Sequence, residues 1–520
     1  MKKSKIDILI IGAGASGAAA AWNLSKSKLK IACFEQGDFV NREHFSKENF
    51  NWEYLRYTKY DVNPNLRKFK SDYPINDNDS PISIANFNGV GGSTVLYSAH
   101  LPRFRPEDLK IKTRENILSD WPIKYSELKN YFELNESILG VAGLKGDPAY
   151  PGIKNLLKPV KLETSGKIMS KAFKKLNWNW WPSYSGIITS KFKKRKIGSM
   201  SDVNNSYWPE AIKNGVKLFT RHRVSKLKLD KFNKIKGVVY FDKHNIERFQ
   251  EASIVILACG GIGTPRILLN SKTKYFKEGL ANSSGLVGKN LMLHPLGFVE
   301  GVFDKFIESF KGPEGCCIYS HQFYGTKKKN NFKRGYSIQV LRGDHPIGTA
   351  LTLKKFKNLK FGKNFHENFL KNFGNKIPIA IICEDLPDKK NFVEIDNKIK
   401  DSNGIPGVKI NYTLSKNSKK MLAQGLKNGK KLMDAAGAKK INSFGPVKHT
   451  GWHIMGTAKM GINKKHSVVN NRGQTHDIKN LVIVDSSIFP TSSCINSMAT
   501  TVSLSLMLTE KIKKKINNYY

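Results

Sequence analysis

The chain lacks any uninterrupted run of about 20 apolar residues, the length a helix needs to cross a bilayer. Cysteine is scarce too. The six thiols (Cys33, Cys259, Cys316, Cys317, Cys383 and Cys494) are too few and too scattered for a disulfide scaffold in 520 residues. None stands in a C-x-x-C pair, so zinc-ribbon and thioredoxin-like chemistry have no support, and a reducing, cytoplasmic compartment is expected. Acidic side chains are also short in number, 42 against 87 basic ones, which leaves a formal charge of +45. A field of that sign attracts nucleic acid, anionic lipid or acidic partners. The lysines are scattered, however: Lys193-Lys194-Arg195-Lys196, Lys327-Lys328-Lys329 and Lys513-Lys514-Lys515 are short clusters in unrelated places. No basic stripe with interleaved aromatics accompanies them, so nucleic-acid binding is not expected. A solvated basic surface is the simpler reading, with membrane-surface association as the alternative use of the charge. Hydrophobic residues at 40% and charged residues at 25% exclude wholesale disorder.

The N-terminus, Met1-Lys2-Lys3-Ser4-Lys5-Ile6-Asp7, begins like a basic signal peptide, but the apolar run behind it carries Gly12, Gly14 and Gly17 and no clean cleavage site. It reads instead as a first strand, and the mature chain is expected to start at residue 1. Ile6-Asp7-Ile8-Leu9-Ile10-Ile11 is a β-branched run suited to a buried parallel strand. It enters Gly12-Ala13-Gly14-Ala15-Ser16-Gly17, then an alanine-rich helix, then a second strand, Lys30 to Phe34, ending at Glu35. This is the dinucleotide fingerprint in its proper context. Gly12 permits the tight turn, Gly14 lets backbone approach a pyrophosphate, and Gly17 allows close helix packing. The helix amides and dipole stabilise the phosphates. Glu35 is placed to accept from an adenosine ribose hydroxyl and repels a 2′-phosphate, which disfavours NADP. Between FAD and NAD the fingerprint does not choose.

Further along, Gly89-Val90-Gly91-Gly92-Ser93-Thr94 is a second glycine cluster. Such a segment suits a flavin, whose ring needs backbone passing its edge without side chains in the way. Ala252 to Leu269 reads as another buried strand, glycine turn and helix, with Pro265 near the first helical turn. Segments 215–224 and 236–240 read as strands, Asn480 to Val484 as a buried strand ending at Asp485, and Asn496 through Leu508 as a helix. Strands of this character return at four separated places, so the nucleotide domain is discontinuous.

These segments carry a resemblance that runs nearly end to end. Gly89 to Phe104, Trp121 to Glu133, Gly260 to Ser271, Gly288 to Pro295, His453 to Gly461, and Val484 to Thr491 leading to Asn496 together resemble the glucose-methanol-choline (GMC) family of FAD-dependent oxidoreductases. Pro102-Arg103-Phe104 is most similar to its pyranose-oxidase and gluconate-dehydrogenase branch. The resemblance implies an α/β, Rossmann-like, discontinuous FAD-binding domain (1–300 with 445–520) and an α+β substrate domain (300–445) with an antiparallel sheet, which the alternating runs Tyr336 to Leu341 and Ile377 to Ile382 also suggest. The polar segment Asp38 to Ser80 is expected to supply a lid or docking element, about 41–80, included in the FAD-binding domain.

Oxidising a carbinol with a flavin requires a base for the hydroxyl proton, a holder for the oxygen, and a hydride path to flavin N5. The resemblance carries the first role onto His453 and the second onto Asn496, 43 residues later. It also implies that Gly12, Ala13, Gly14, Ala15, Ser16, Gly17, Glu35, Gly91, Gly92, Ser93, Thr94, Val224, Ala258, Asp485, Ser497 and Thr500 bind FAD. Asn496 could equally be a plain N-cap of the last helix. His294, before Pro295, is expected to fix a turn. His449 and His453 have a metal-ligand spacing for a helix, but Gly451 and Gly456 argue against a helix and no acidic partner stands nearby, so no metal is expected. Some relatives attach FAD covalently through a histidine that would fall at position 96; here it is Leu96, which implies noncovalent FAD, with His100 a weaker candidate for attachment. The expected activity is dehydrogenation of a CH–OH group in a sugar, polyol or other small alcohol. A quinone, cytochrome or small subunit is the expected electron acceptor. The alternatives are an oxygen-using oxidase and, remotely, a noncatalytic polyanion-binding protein on a flavin fold.

Overall fold

The computed structural model describes residues 5–328, 330–355 and 362–519. Residues 1–4, the basic N-terminal tip, and Lys329 of the central lysine cluster lie outside the described residues. The β-branched run Ile6–Ile11 becomes a strand paired in parallel with Ile31–Phe34 on one side and with the second half of Glu247–Leu257 on the other. Lys217–Phe219 extends the sheet beside Ile31–Phe34, and Leu481–Ile483 extends it beside Glu247–Leu257, both in parallel. Five parallel strands therefore come from four separated stretches of chain. The strand order reverses between Ile6–Ile11 and Glu247–Leu257, the place where open α/β sheets leave a ligand crevice at the carboxyl ends of their strands. Helix Ala15–Leu24 and the last helix, Met498–Lys514, pack on each other and close one face of this sheet. The first half of Glu247–Leu257 leaves the parallel sheet for an antiparallel meander with Ile235–Phe241 and Arg223–Leu229.

A second sheet is wholly antiparallel. Its order is Lys440–Phe444, Leu296–Val302, Lys376–Cys383, Tyr336–Leu341, Cys316–Ser320 and the two-residue strand Trp181–Pro182. The two-residue period of its strands divides their side chains between two faces. Tyr336, Ile338, Val340, Ile377, Ile379 and Ile381 share a buried core with Met421, Leu432 and Met433 of helix Lys416–Ala435 and with Phe173 of helix Glu163–Lys175. That helix approaches closely because Gly425 has no side chain: a Cβ there would sit 2.4 Å from Ile381. The alternate residues Leu296, Phe298, Gln339, Leu341, Ala380 and Ile382 face the cavity between the two sheets. Residues 163–182, inside the stretch assigned by sequence to the nucleotide domain, pack on this second sheet instead. Within 38–80, Glu53 ties the segment down by accepting the backbone N–H groups of Ile347 and Gly348 at 3.0 and 2.7 Å. Among the described residues no helix is long and apolar enough to cross a membrane.

Candidate active site

A cavity of about 420 Å³ runs from the glycine turn to the antiparallel sheet, within the usual size range of small-molecule sites. Its near end is built from backbone. Gly12 has φ +99°, and a Cβ on it would lie 2.6 Å from the Ala258 carbonyl oxygen. A Cβ on Gly17 would lie 1.9 Å from the Gly12 carbonyl oxygen, so the helix can sit this close to the turn only with glycine there. Gly14, Ala15 and Ser16 line the cavity, and Gly14 faces Gly92 of the second glycine cluster. Gly92, at φ +52°, is equally constrained, since its Cβ would meet Gly14 Cα at 2.8 Å. Glu35 lines the same end; its carboxylate accepts the Ala13 N–H at 2.8 Å and the Gly37 N–H at 2.9 Å. Burial pushes the Glu35 carboxyl up, and the two amide hydrogen bonds oppose that shift. Ser93, Thr94, Val224 and Ala258 complete the walls. Asp485 also lines the cavity and holds the N-terminus of helix Gly260–Asn270, accepting the Gly260 N–H at 2.9 Å and the Thr264 hydroxyl at 2.6 Å.

At the far end His453 and Asn496 meet. Asn496 Nδ2 stands 3.2 Å from His453 Nε2, and its Oδ1 accepts from Gln339 Nε2 at 2.7 Å and the Tyr319 hydroxyl at 3.0 Å. His453 lies on an irregular segment, Gly451 to Met460, with no helix. Its Nδ1 is 2.9 Å from His294 Nδ1, and His294 Nε2 is 3.2 Å from the Ser492 carbonyl oxygen. Burial pushes His453 down to about 4 and His294 to about 3, so both rings are neutral at pH 7. His100 also lines the cavity, pushed down to about 3 mainly by burial, and its Nε2 accepts the Cys316 N–H at 2.7 Å. Around these polar groups the wall is apolar: Leu96, Leu296, Phe298, Leu341, Ala380, Ile382 and Trp452.

Two models of the GMC oxidoreductase family match the chain, the N-terminal one over residues 6–296 and the C-terminal one over 387–505. The chain belongs to the GMC oxidoreductase family. It is 34% identical to the 2-methyl-1,2-propanediol dehydrogenase of Mycolicibacterium austroafricanum, over 98% of this chain and 96% of that protein. It is 24% identical to the fructose dehydrogenase large subunit of Gluconobacter japonicus, over 97% of each. Among solved structures, pyridoxine 4-oxidase from Mesorbium loti matches with a TM-score of 0.67 at 15% identity, over 98% of this chain and 99% of that one. GMC oxidoreductases use FAD to oxidise CH–OH groups, and this chain is an alcohol-oxidising FAD enzyme.

The residues present fit that cofactor. Two glycine segments meet with backbone only between them, a helix N-terminus opens beside them, and a buried carboxylate lies at the end of the second strand, as a pyrophosphate and a ribose require. The structure gathers Gly12, Gly14, Ala15, Ser16, Glu35, Gly92, Ser93, Thr94, Val224, Ala258, Asp485, Ser497, His453 and Asn496 around one cavity. Ala13, Gly17 and Gly91 lie behind its wall: the Ala13 carbonyl accepts from Gly91 N at 2.9 Å and from Trp208 Nε1 at 3.0 Å. Thr500 departs from the expectation. It is fully buried, its hydroxyl oxygen accepts the Phe104 N–H at 3.2 Å, and Thr501, one helical step round, faces the cavity in its place. Asn496 is not the N-cap either; Ser497 is, and the Asn496 amide meets His453 through Nδ2 and Gln339 and Tyr319 through Oδ1. His294 does turn the chain, at φ +53°, but it also touches His453. Gln339 escaped the sequence reading although its strand did not. Alternation along Tyr336–Leu341 places it, with Ser337 and Leu341, opposite the face of Tyr336, Ile338 and Val340.

Proposed function

We propose that this chain is an FAD-dependent dehydrogenase of a small, largely aliphatic alcohol or diol, with His453 as proton acceptor and Asn496 as holder of the substrate oxygen. The observation that carries the reading is the 3.2 Å contact of His453 Nε2 with Asn496 Nδ2 at the cavity surface. When bound, FAD supplies the acceptor for the hydride that leaves the carbinol carbon. His453, neutral because burial disfavours its charged form, offers a bare nitrogen to the hydroxyl proton. Asn496 Nδ2 donates to the oxygen as negative charge develops there, and its orientation is fixed because both donors on Oδ1 come from rigid strands. Gly14 to Ser16, Glu35, Gly92 to Thr94, Asp485 and Ser497 would hold the cofactor. The apolar wall excludes water and favours alkyl groups over the many hydroxyls of a sugar, in keeping with the diol named for the 34% relative.

The reading includes noncovalent FAD, supported by Leu96 at the attachment position and by His100 Nε2, which is already an acceptor for the Cys316 N–H. It also includes a non-oxygen electron acceptor and a reducing cytoplasm, in keeping with six free, mostly buried cysteines. Anaerobic bleaching of the bound flavin against a panel of 1,2-diols, simple alcohols, polyols and sugars tests the substrate class. Bleaching by sugars alone would overturn it. Rapid reoxidation of the reduced protein in air-saturated buffer would replace the dehydrogenase reading with an oxidase one.

A further inference from the structure

The hydrogen bonds that pass through His453 run in one direction. They start at a group that can only donate, the Cys316 backbone N–H, which reaches His100 Nε2 at 2.7 Å. The neutral His100 ring then carries its proton on Nδ1. The Gln339 side chain lies beside this ring and favours its protonated form, against the larger effect of burial. Gln339 Nε2 donates to Asn496 Oδ1, and Asn496 Nδ2 faces His453 Nε2. At the other end stands the Ser492 carbonyl oxygen, which can only accept and lies 3.2 Å from His294 Nε2.

A neutral imidazole has one donor and one acceptor nitrogen. With its proton committed to Ser492, His294 has a bare Nδ1. The 2.9 Å contact between the two Nδ1 atoms then requires the proton of His453 on its Nδ1, which leaves Nε2 bare toward Asn496 and the cavity. Both halves of this support are tied to one short stretch. Asp385 accepts the Leu293 N–H through its carboxylate at 3.0 Å, and its own backbone N–H donates to Ser492 Oγ at 3.0 Å.

We propose that His294 is a positioning residue for the reaction: it accepts the Nδ1 proton of His453 and so holds that ring in the one tautomer able to receive the substrate proton. This rests on the reading of His453 as proton acceptor. His294 is buried and sits in a left-handed backbone conformation that histidine, asparagine and aspartate tolerate better than most residues. Among the described residues the titratable groups facing His453 are His294 and His100, both neutral at pH 7; the Asp385 carboxylate accepts from the Leu293 backbone and the Tyr412 and Ser418 hydroxyls and from neither imidazole.

Three variants test the proposal, each read by anaerobic flavin bleaching with saturating alcohol from pH 4 to 9. His294→Asn suits the backbone and keeps an acceptor where Nδ1 was, so its rate stays within a few-fold of the parent. His294→Ala leaves the His453 tautomer unspecified; its limiting rate falls about 10²-fold while the alcohol concentration for half-maximal rate changes little. His294→Asp places a carboxylate on the Nδ1 proton and favours the imidazolium, so the acid limb of the profile moves up by about one pH unit or more. An Asp variant with an unmoved acid limb, or an Asn variant as slow as the Ala variant, overturns the proposal. If His294→Ala does not retain flavin, the Asn and Asp variants decide alone. His453→Ala separates the two layers: bleaching at the parent rate in that variant removes the base reading itself, whereas a slow His453→Ala beside His294 variants with parental rates and profiles removes only the positioning role.

Discussion

Gly14 and Gly17 each lack only the methyl group that alanine would add, and adding it should fail in a different way at each. At Gly17 an added Cβ would lie 1.9 Å from the Gly12 carbonyl oxygen, against about 3.4 Å for ordinary contact, so the first turn of the helix or the strand end must move by about 1.5 Å. Overpacking of this kind costs about 1–3 kcal/mol or more, and it is felt whether or not flavin is bound. At Gly14 the backbone is extended, a conformation open to alanine, and the added Cβ would meet only Gly92 Cα at 3.7 Å. The apoprotein should tolerate that methyl within about 0.5 kcal/mol. It intrudes, however, where the two glycine segments border the cavity. Urea unfolding of the apoprotein and the flavin-to-protein absorbance ratio after purification read the two effects separately. Gly17→Ala is expected to lower the unfolding midpoint and lose flavin as a consequence; Gly14→Ala is expected to keep the midpoint and lose flavin directly. Full flavin occupancy in Gly14→Ala, or an unchanged apoprotein midpoint in Gly17→Ala, would refute the division of labour drawn from the backbone.

His453→Ala should keep its yellow cofactor and bleach at least about 10²-fold more slowly, measured by anaerobic stopped flow. Because the His453 imidazole must be unprotonated to act and its pKa lies near 4, the bleaching rate should be flat from pH 8 to 6 and fall only as pH drops toward 4; a midpoint at 6.5 would contradict the desolvated environment. Asp485→Asn turns an amide donor toward groups that all donate to the carboxylate (the Gly260 and Ser487 N–H groups and the Thr264 hydroxyl), so it should cost about 1–3 kcal/mol in urea unfolding and weaken flavin retention. Asp385 is held up near 6 by burial, so the folded chain keeps its proton to higher pH than the unfolded one. That contribution is complete below about pH 3.9 and is lost as pH rises through 6. Unfolding midpoints of Asp385→Asn and the parent should therefore differ in slope between pH 4 and 6, and parallel curves would exclude the effect.

The nucleotide half of the fold was legible because local chemistry writes it. A β-branched run, glycines at fixed offsets and an acid at the next strand end are short-range signals, and Ile6–Ile11, Ala15–Leu24 and Ile31–Phe34 form as those signals require. The antiparallel strands were legible from alternation, but not which of their side chains meet the site. Gln339 reaches Asn496 across 157 residues and His294 reaches His453 across 159, and no local pattern encodes such pairs. Thr500 and Thr501 show the finer limit: one residue on a helix is a rotation of about 100°, enough to exchange a cavity wall for a buried hydrogen bond to Phe104. That residues 163–182 pack on the second sheet was hidden for a similar reason, since only the two-residue strand Trp181–Pro182 joins it and leaves no periodicity to read.

The last helix does more than close the molecule. Ser505 donates to the Ser16 carbonyl, Asn23 donates to the Leu506 carbonyl, and Ser497, Met498 and Thr501 form part of the cavity wall. Segments 489 residues apart along the chain thus share one wall, and the seat for the yellow cofactor exists only where the glycine turn and this helix are packed together.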